Sequence, residues 1–213
     1  MNDFTINEIK VSLPSGWDGV TVDQFLKLKE AALKPDILVQ LSILSNTDKQ
    51  LWFDSDIETI YFETILDSIA WAVTTPDIDN FIMPPVYQLG EKIIVIPKDL
   101  TLKTLGQKIT FEQMILSKAV MVYDKPACDI NVICEAVAIY LQPLYTGEKF
   151  DPEKLDEVVS LVRHTLFCDV YAIASFFLTQ LFPSAKLKQS NSKETTMVKK
   201  KGRALKTSTS LAQ

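Results

Sequence analysis

The chain has 213 residues, room for one full-sized domain or two small lobes, and its 47% hydrophobic content supplies a core. Only 6 Gly argue against a Gly-rich phosphate loop and a many-turned all-β fold, and the single His, His164, excludes by count a two-His zinc site, a facial triad and a His pair. The net charge of −5 is unevenly spread: from Ser184 on, eight basic residues against Glu194 alone give a tail of about +7 and leave a body of about −12.

In chain order, Ile6 to Leu13 reads as one strand, with Ile9, Val11 and Leu13 on one face. Pro14-Ser-Gly16 ends it. Trp17 would pin the corner into a helix from Val22 to about Leu33, capped by Thr21. In Thr21-Val-Asp-Gln24 the Thr oxygen can accept from the N3 amide, and the Gln can reach back to the Thr amide. Pro35 reads as the first residue of a second helix reaching about Leu44, followed by the loop Ser45-Asn-Thr-Asp48. Ser55-x-x-Glu58 is a second capping box. It opens a long helix carrying Ile57, Ile60, Tyr61, Ile65, Leu66, Ile69 and Val73.

Pro76, Pro84 and Pro85 interrupt helix formation. Tyr87 to Ile96 predicts a hairpin turning near Gly90-Glu91, which with the N-terminal strand would make a small three-stranded sheet. A further Thr-x-x-Gln box at Thr110 opens a helix near Phe111 to Tyr123. Asp129 caps a helix from about Ile130 to Leu141 that Pro143 ends. Asp151-Pro152 opens a helix from about Glu153 to Val162. The last helix runs through Tyr171, Ile173, Phe176, Phe177 and Leu181. Its apolar stretch, Leu166 to Phe182, falls short of the ~20 residues of a membrane span and reads as a buried helix.

Val20-Thr-Val-Asp-Gln-Phe-Leu-Lys-Leu-Lys29 and Ile109-Thr-Phe-Glu-Gln-Met-Ile-Leu-Ser-Lys118 echo one another. A duplicated helical unit accounts for this, and so does a chance likeness between two helix starts. The expected fold class is mainly α (α+β), with two related helical units, a small β element and a disordered basic C-terminal tail. The segments are 1–75 (strand plus first helical unit), 76–108 (Pro-rich linker and hairpin), 109–183 (second helical unit) and 184–213 (tail), the last being too poor in apolar residues to fold alone.

The chemistry-bearing residues have plain structural readings. Cys128, Cys134 and Cys168 are odd in number and unpaired in spacing, so they read as reduced thiols on buried helix faces of a cytosolic protein. The start Met1-Asn-Asp-Phe-Thr5 lacks the pattern of a secretory signal. His164 and Cys168 are four apart and could meet on one helix face, the basis of a small helical hydrolase that would need a pocket around His164. Asp54, Asp56 and Glu58, and Asp151, Glu153, Asp156 and Glu157, read as first-turn acids that complement helix dipoles, not as metal ligands. Trp17, Trp52 and Trp71 read as core. No catalytic residue, metal ligand or cofactor is expected.

The tail cations are Lys186, Lys188, Lys193, Lys199, Lys200, Lys201, Arg203 and Lys206. They suit simple solvation, contact with DNA phosphates, or docking on an acidic protein surface. Without aromatic residues they do not suit base stacking.

Three segments carry a resemblance: Leu13-Pro-Ser-Gly-Trp17 with Val20-Thr-Val-Asp-Gln-Phe25; Tyr87-Gln-Leu-Gly-Glu-Lys-Ile-Ile-Val-Ile-Pro97 running into Ile109-Thr-Phe-Glu-Gln; and Ala138-Ile-Tyr-Leu-Gln-Pro-Leu-Tyr-Thr-Gly-Glu148 with Phe150-Asp and Ala174-Ser-Phe-Phe-Leu178. Over about residues 4–183 the chain resembles small tailed-phage proteins of the tail-assembly-chaperone-like group, encoded among the structural genes of crAss-like and related Bacteroides phages. The resemblance covers helix starts and aromatic anchors and brings no catalytic or ligand residue. The basic tail is not part of it. It implies a non-enzymatic protein of virion assembly, present in the host cytoplasm and present in many copies. Its partners would be other phage structural proteins of the tail, portal or tape-measure type, bound helix-in-groove, with no membrane. The alternative it leaves open is a virion-resident component whose basic tail contacts DNA or an acidic protein surface.

Overall fold

An Asn7-Glu8 turn divides the first expected strand in two. Both residues have positive φ, 48° and 66°. That is the geometry of a two-residue hairpin turn matched to strand twist. β1 (Asn2–Ile6) therefore pairs antiparallel with β2 (Ile9–Leu13), setting Phe4 opposite Val11 and Ile6 opposite Ile9. Val11 and Leu13 are buried, whereas Ile9, beside the turn, stays half exposed. The structure is a computed structural model that describes residues 1–56, 58–98, 100–118, 121–122, 125–126 and 129–181. It is mainly helical, and Met1–Phe177 form one compact unit.

α1 (Val22–Ala31) carries the expected box: Gln24 N donates to Thr21 Oγ1 at 3.2 Å, and Thr21 N donates to Gln24 Oε1 at 3.0 Å. α2 (Ile37–Ser45) is capped by Asp36, which accepts from the amides of Leu38 and Val39. Pro35 thus precedes the cap instead of starting the helix, because Asp36 can satisfy two free amides at once. Asn46, left-handed at φ 54°, closes α2. A short helix that the sequence reading missed follows, α3 (Lys49–Phe53), capped by Asp48.

The box expected at Ser55 does not form. The Ser55 hydroxyl donates to the Trp52 carbonyl, and α4 (Thr59–Ile69) begins after Glu58 without a side-chain cap. Ser55 is thus held at the end of α3. A 3₁₀ turn over Ala70–Val73 extends α4. Ile6, Val11, Leu13, Val20, Leu28, Leu41, Leu44, Trp52, Ile65 and Ile69 make one buried cluster beneath this half. The Trp52 indole donates to Ser45 and Thr47 hydroxyls, so its burial leaves no orphaned N–H.

β3 (Val86–Leu89) and β4 (Lys92–Val95) form the expected hairpin, with Gly90 at φ 57° in its turn. The three-stranded sheet does not exist. Each hairpin closes on itself and packs on a different layer, β2 against α2 and β4 against α6. A two-residue ladder joins β5 (Met121–Val122) to β6 (Lys125–Pro126).

The second box lies earlier than expected. α5 (Leu105–Lys118) opens at Thr104, not Thr110. Gln107 N donates to Thr104 Oγ1 at 3.2 Å, and Thr104 N donates to Gln107 Oε1 at 3.1 Å. Thr110 is inside the helix and Gln113 is exposed. α6 (Ile130–Thr146) runs straight through Pro143 to Gly147, left-handed at φ 75°. Pro143 has no N–H to give the Ile139 carbonyl one turn back. Gln107 Nε2 donates to that carbonyl at 3.0 Å, so the helix continues where proline would end it. Gln24 does similar work in the first half, donating to the Ile43 and Leu44 carbonyls at the end of α2, both at 3.0 Å.

Asp151 caps a 3₁₀ turn (Pro152–Lys154) that leads into α7 (Leu155–Arg163), and α8 is Phe167–Leu181. α6 is buried along most of its length and packs against α5, α7 and β4. A single antiparallel bridge, Thr21 to Leu166, ties the start of α1 to the α7–α8 turn: Val22 N donates to Thr165 O and Phe167 N to Val20 O. The Phe25 and Phe167 rings stack beside it at 4.0 Å. Trp17 meets Phe25 and Trp71 edge-on, which fixes the corner that the sequence assigned to it.

Candidate interaction surface

Among the described residues, those that could carry chemistry do not come together. His164 is the C-terminal cap of α7 and stands in solvent. Its Nδ1 lies 2.8 Å from the Ser160 carbonyl and its Nε2 3.7 Å from Asp23 Oδ2. Cys168 sits on α8, so the shared helix face expected for His164 and Cys168 is absent; the chain turns at Thr165-Leu166 between them. The Cys168 thiol faces the Asp18 carbonyl and the Asp169 carboxylate. Burial, then the Asp169 charge, pushes it up to about 11. Burial pushes the Cys134 thiol up to about 12. A thiol held that high is a poor nucleophile near neutral pH. Cys134 is buried on α6 as expected, Cys168 only half so, and Cys128 lies outside the described residues.

The acidic groups act at helix ends. Asp151 accepts from Glu153 N, and Glu153, Asp156 and Glu157 lie in first turns, as expected. The other group departs from expectation. Asp54 caps the C-terminus of α3 and takes both bonds from the Gln50 amide, while Asp56 lies in the loop before α4. Among the described residues, no three His, Cys, Asp or Glu side chains are grouped to hold a metal ion. No helix among them is long and apolar enough to cross a membrane. The tail cations, Lys186 to Lys206, lie outside the described residues.

What the body does present is apolar surface. Some of it lies near, in the chain, the residues of the Asp36–Lys49 ion pair at 2.6 Å. Leu33 (83% exposed) stands three residues before Asp36 and Ile37 directly after it, and Phe53 (69% exposed) is one helical turn beyond Lys49. More lies on the outer face of the β3–β4 hairpin. Its inner face buries Tyr87, Leu89, Ile94 and Ile96. Tyr87 is pinned through its hydroxyl to Thr165, and burial raises its pKa above the usual range. Lys92 reaches the Tyr145 carbonyl at 2.9 Å, its ammonium 4.5 Å above that ring. The strand period then turns Val86, Gln88, Ile93 and Val95 outward; Ile93 and Val95 are 73% and 71% exposed. The signal in the sequence was the unbroken run Ile93-Ile94-Val95-Ile96, too apolar for a strand with one wet face. Comparison with protein-family profiles, with curated protein sequences and with solved structures finds no match to this chain.

Proposed function

We propose that this protein is a non-enzymatic bacteriophage virion-assembly protein, tail-assembly-chaperone-like, that binds another phage structural protein. The observation that carries the reading is the exposure of Leu33, Ile37 and Phe53 near the Asp36–Lys49 ion pair. Exposed apolar side chains of this kind are where a partner's amphipathic helix gains most by docking. The segment resemblance over residues 4–183 supports the same role. A second reading, a component that stays in the particle, is favoured by the charge of about +7 beyond Ser184, which suits packed DNA or an acidic protein wall.

Mass spectrometry of purified virions against infected-cell lysate, with copy number, separates the two. Presence in lysate and depletion from particles supports the chaperone; abundance in particles supports the resident component. Co-purification of one phage structural protein, lost in a Leu33→Asp/Phe53→Asp variant of unchanged circular dichroism, is the expected result. Undiminished capture by that variant overturns the assignment of these side chains.

A further inference from the structure

We propose that strand β4 is a self-pairing edge through which two copies of this chain form a reversible antiparallel dimer. The inference is independent of what the protein assembles with.

The hydrogen-bond parity of the hairpin sets the edge. Ile96 N donates to Pro85 O, so Ile96, Ile94 and Lys92 direct their backbone groups at β3. Ile93 and Val95 then direct theirs away from it. Among the described residues, the amides and carbonyls of Ile93 and Val95 make no hydrogen bond. The opposite edge is poorer: β3 presents Val86 and Gln88, and it is entered through Pro84-Pro85, which have no amide to give. Between Lys92 at its start and Pro97 just beyond its end, β4 carries no outward charge and no bulge to protect the edge.

A second copy is the occupant this edge fits. A two-fold axis through Ile94 sets Ile93 opposite Val95 of the other copy, twice. Both residues of each pair have free donors and acceptors facing each other, so four backbone bonds form. All four side chains then lie on the one exposed face, where β-branched pairs pack well. Charge decides the direction. Glu91 precedes the strand and Lys98 follows it, both exposed. Antiparallel pairing brings each Glu91 near the other copy's Lys98, whereas in-register parallel pairing would set like charges together. The turn at one end and Pro97 at the other limit the length, so register is set. Three exposed β-branched side chains make a patch well under the ~800 Å² per partner of a standard interface. The dimer is therefore concentration-dependent, not obligate.

Sedimentation velocity of the full chain across a concentration series tests this. Expected is a monomer–dimer equilibrium in the micromolar to millimolar range, abolished by Val95→Pro, which removes one outward amide and no bond within the hairpin. Ile93→Lys should act likewise if Val95→Pro alters the circular dichroism. A monomer throughout overturns the proposal. So does a dimer that survives both substitutions, as association through the basic tail would.

Discussion

Replacing Gln107 by Met should destabilise the protein mainly through a helix it does not belong to. Gln107 is buried, and its Nε2 is the donor to the Ile139 carbonyl that Pro143 leaves free. Met keeps the length and loses both ends of the amide. A buried acceptor without a partner costs about 1–3 kcal/mol, and loss of the reciprocal box with Thr104 adds about 1 kcal/mol. The expected total is about 2–4 kcal/mol, read as a lower urea midpoint at unchanged slope by circular dichroism. The decisive measurement is the double-mutant cycle with Pro143→Ala. Alanine at that position brings its own N–H to the Ile139 carbonyl, so in that background only the box is lost. The two substitutions should couple by about 1–3 kcal/mol, Gln107→Met being the milder change in the Pro143→Ala background. Costs equal within about 0.3 kcal/mol in both backgrounds would refute the idea that Gln107 stands in for the missing amide.

Glu8 is held at φ 66°, where a side chain costs roughly 1–2 kcal/mol; allowing for the extra unfolded-state freedom of glycine, Glu8→Gly should raise stability by about 0.5–1 kcal/mol, and a lower melting temperature would contradict the strain argument. The thiols of Cys134 and Cys168 are raised by burial, Cys134 the more; peptide mapping after a short alkylation of native protein at pH 8 should find Cys134 unlabelled and Cys168 labelled slowly, and both labelled fully in urea, whereas rapid native labelling of Cys134 would count against the packing of α6. The Lys49 ammonium and two α2 amides hold the Asp36 carboxyl below its ordinary value of 3.8; the folded pKa is depressed, so this contribution is present above the unfolded value and lost as pH falls through the folded one. Wild type should therefore lose more stability between pH 6 and pH 3 than Asp36→Asn, which still caps the helix, and equal losses in urea melts would remove the charge from the account.

The sequence made local devices legible and non-local choices not. The Thr21 box, the Asp129 and Asp151 caps and the Gly90 turn all rest on neighbours within three residues, and each stands where the local chemistry placed it. Two Thr-x-x-Gln frames overlap the α5 region, at Thr104 and at Thr110. Nothing local chooses between them. What chooses is the Ile139 carbonyl on another helix, and that carbonyl is free because of Pro143. The same contact hid the true length of α6. Asn7-Glu8 escaped notice because it lacks the glycine that marks such turns, and Ser55 because its hydroxyl is held by the preceding helix. On the surface, spacing suggested a His164–Cys168 pair that one turn of chain divides. The hairpin's apolar outer face appeared only once its inner face had been packed.

The bridge between Thr21 and Leu166 sets a timetable for synthesis. Its two halves are 145 positions apart in the chain, so at roughly 5–20 residues per second the ribosome needs on the order of 7–30 s to deliver the second after the first. Through that interval Val20 and Phe25 lack the ring of Phe167 and the Thr165–Phe167 backbone that cover them in the finished protein. The nascent N-terminal half therefore emerges with this seam open to water. It closes only when nearly the whole folded body has left the exit tunnel.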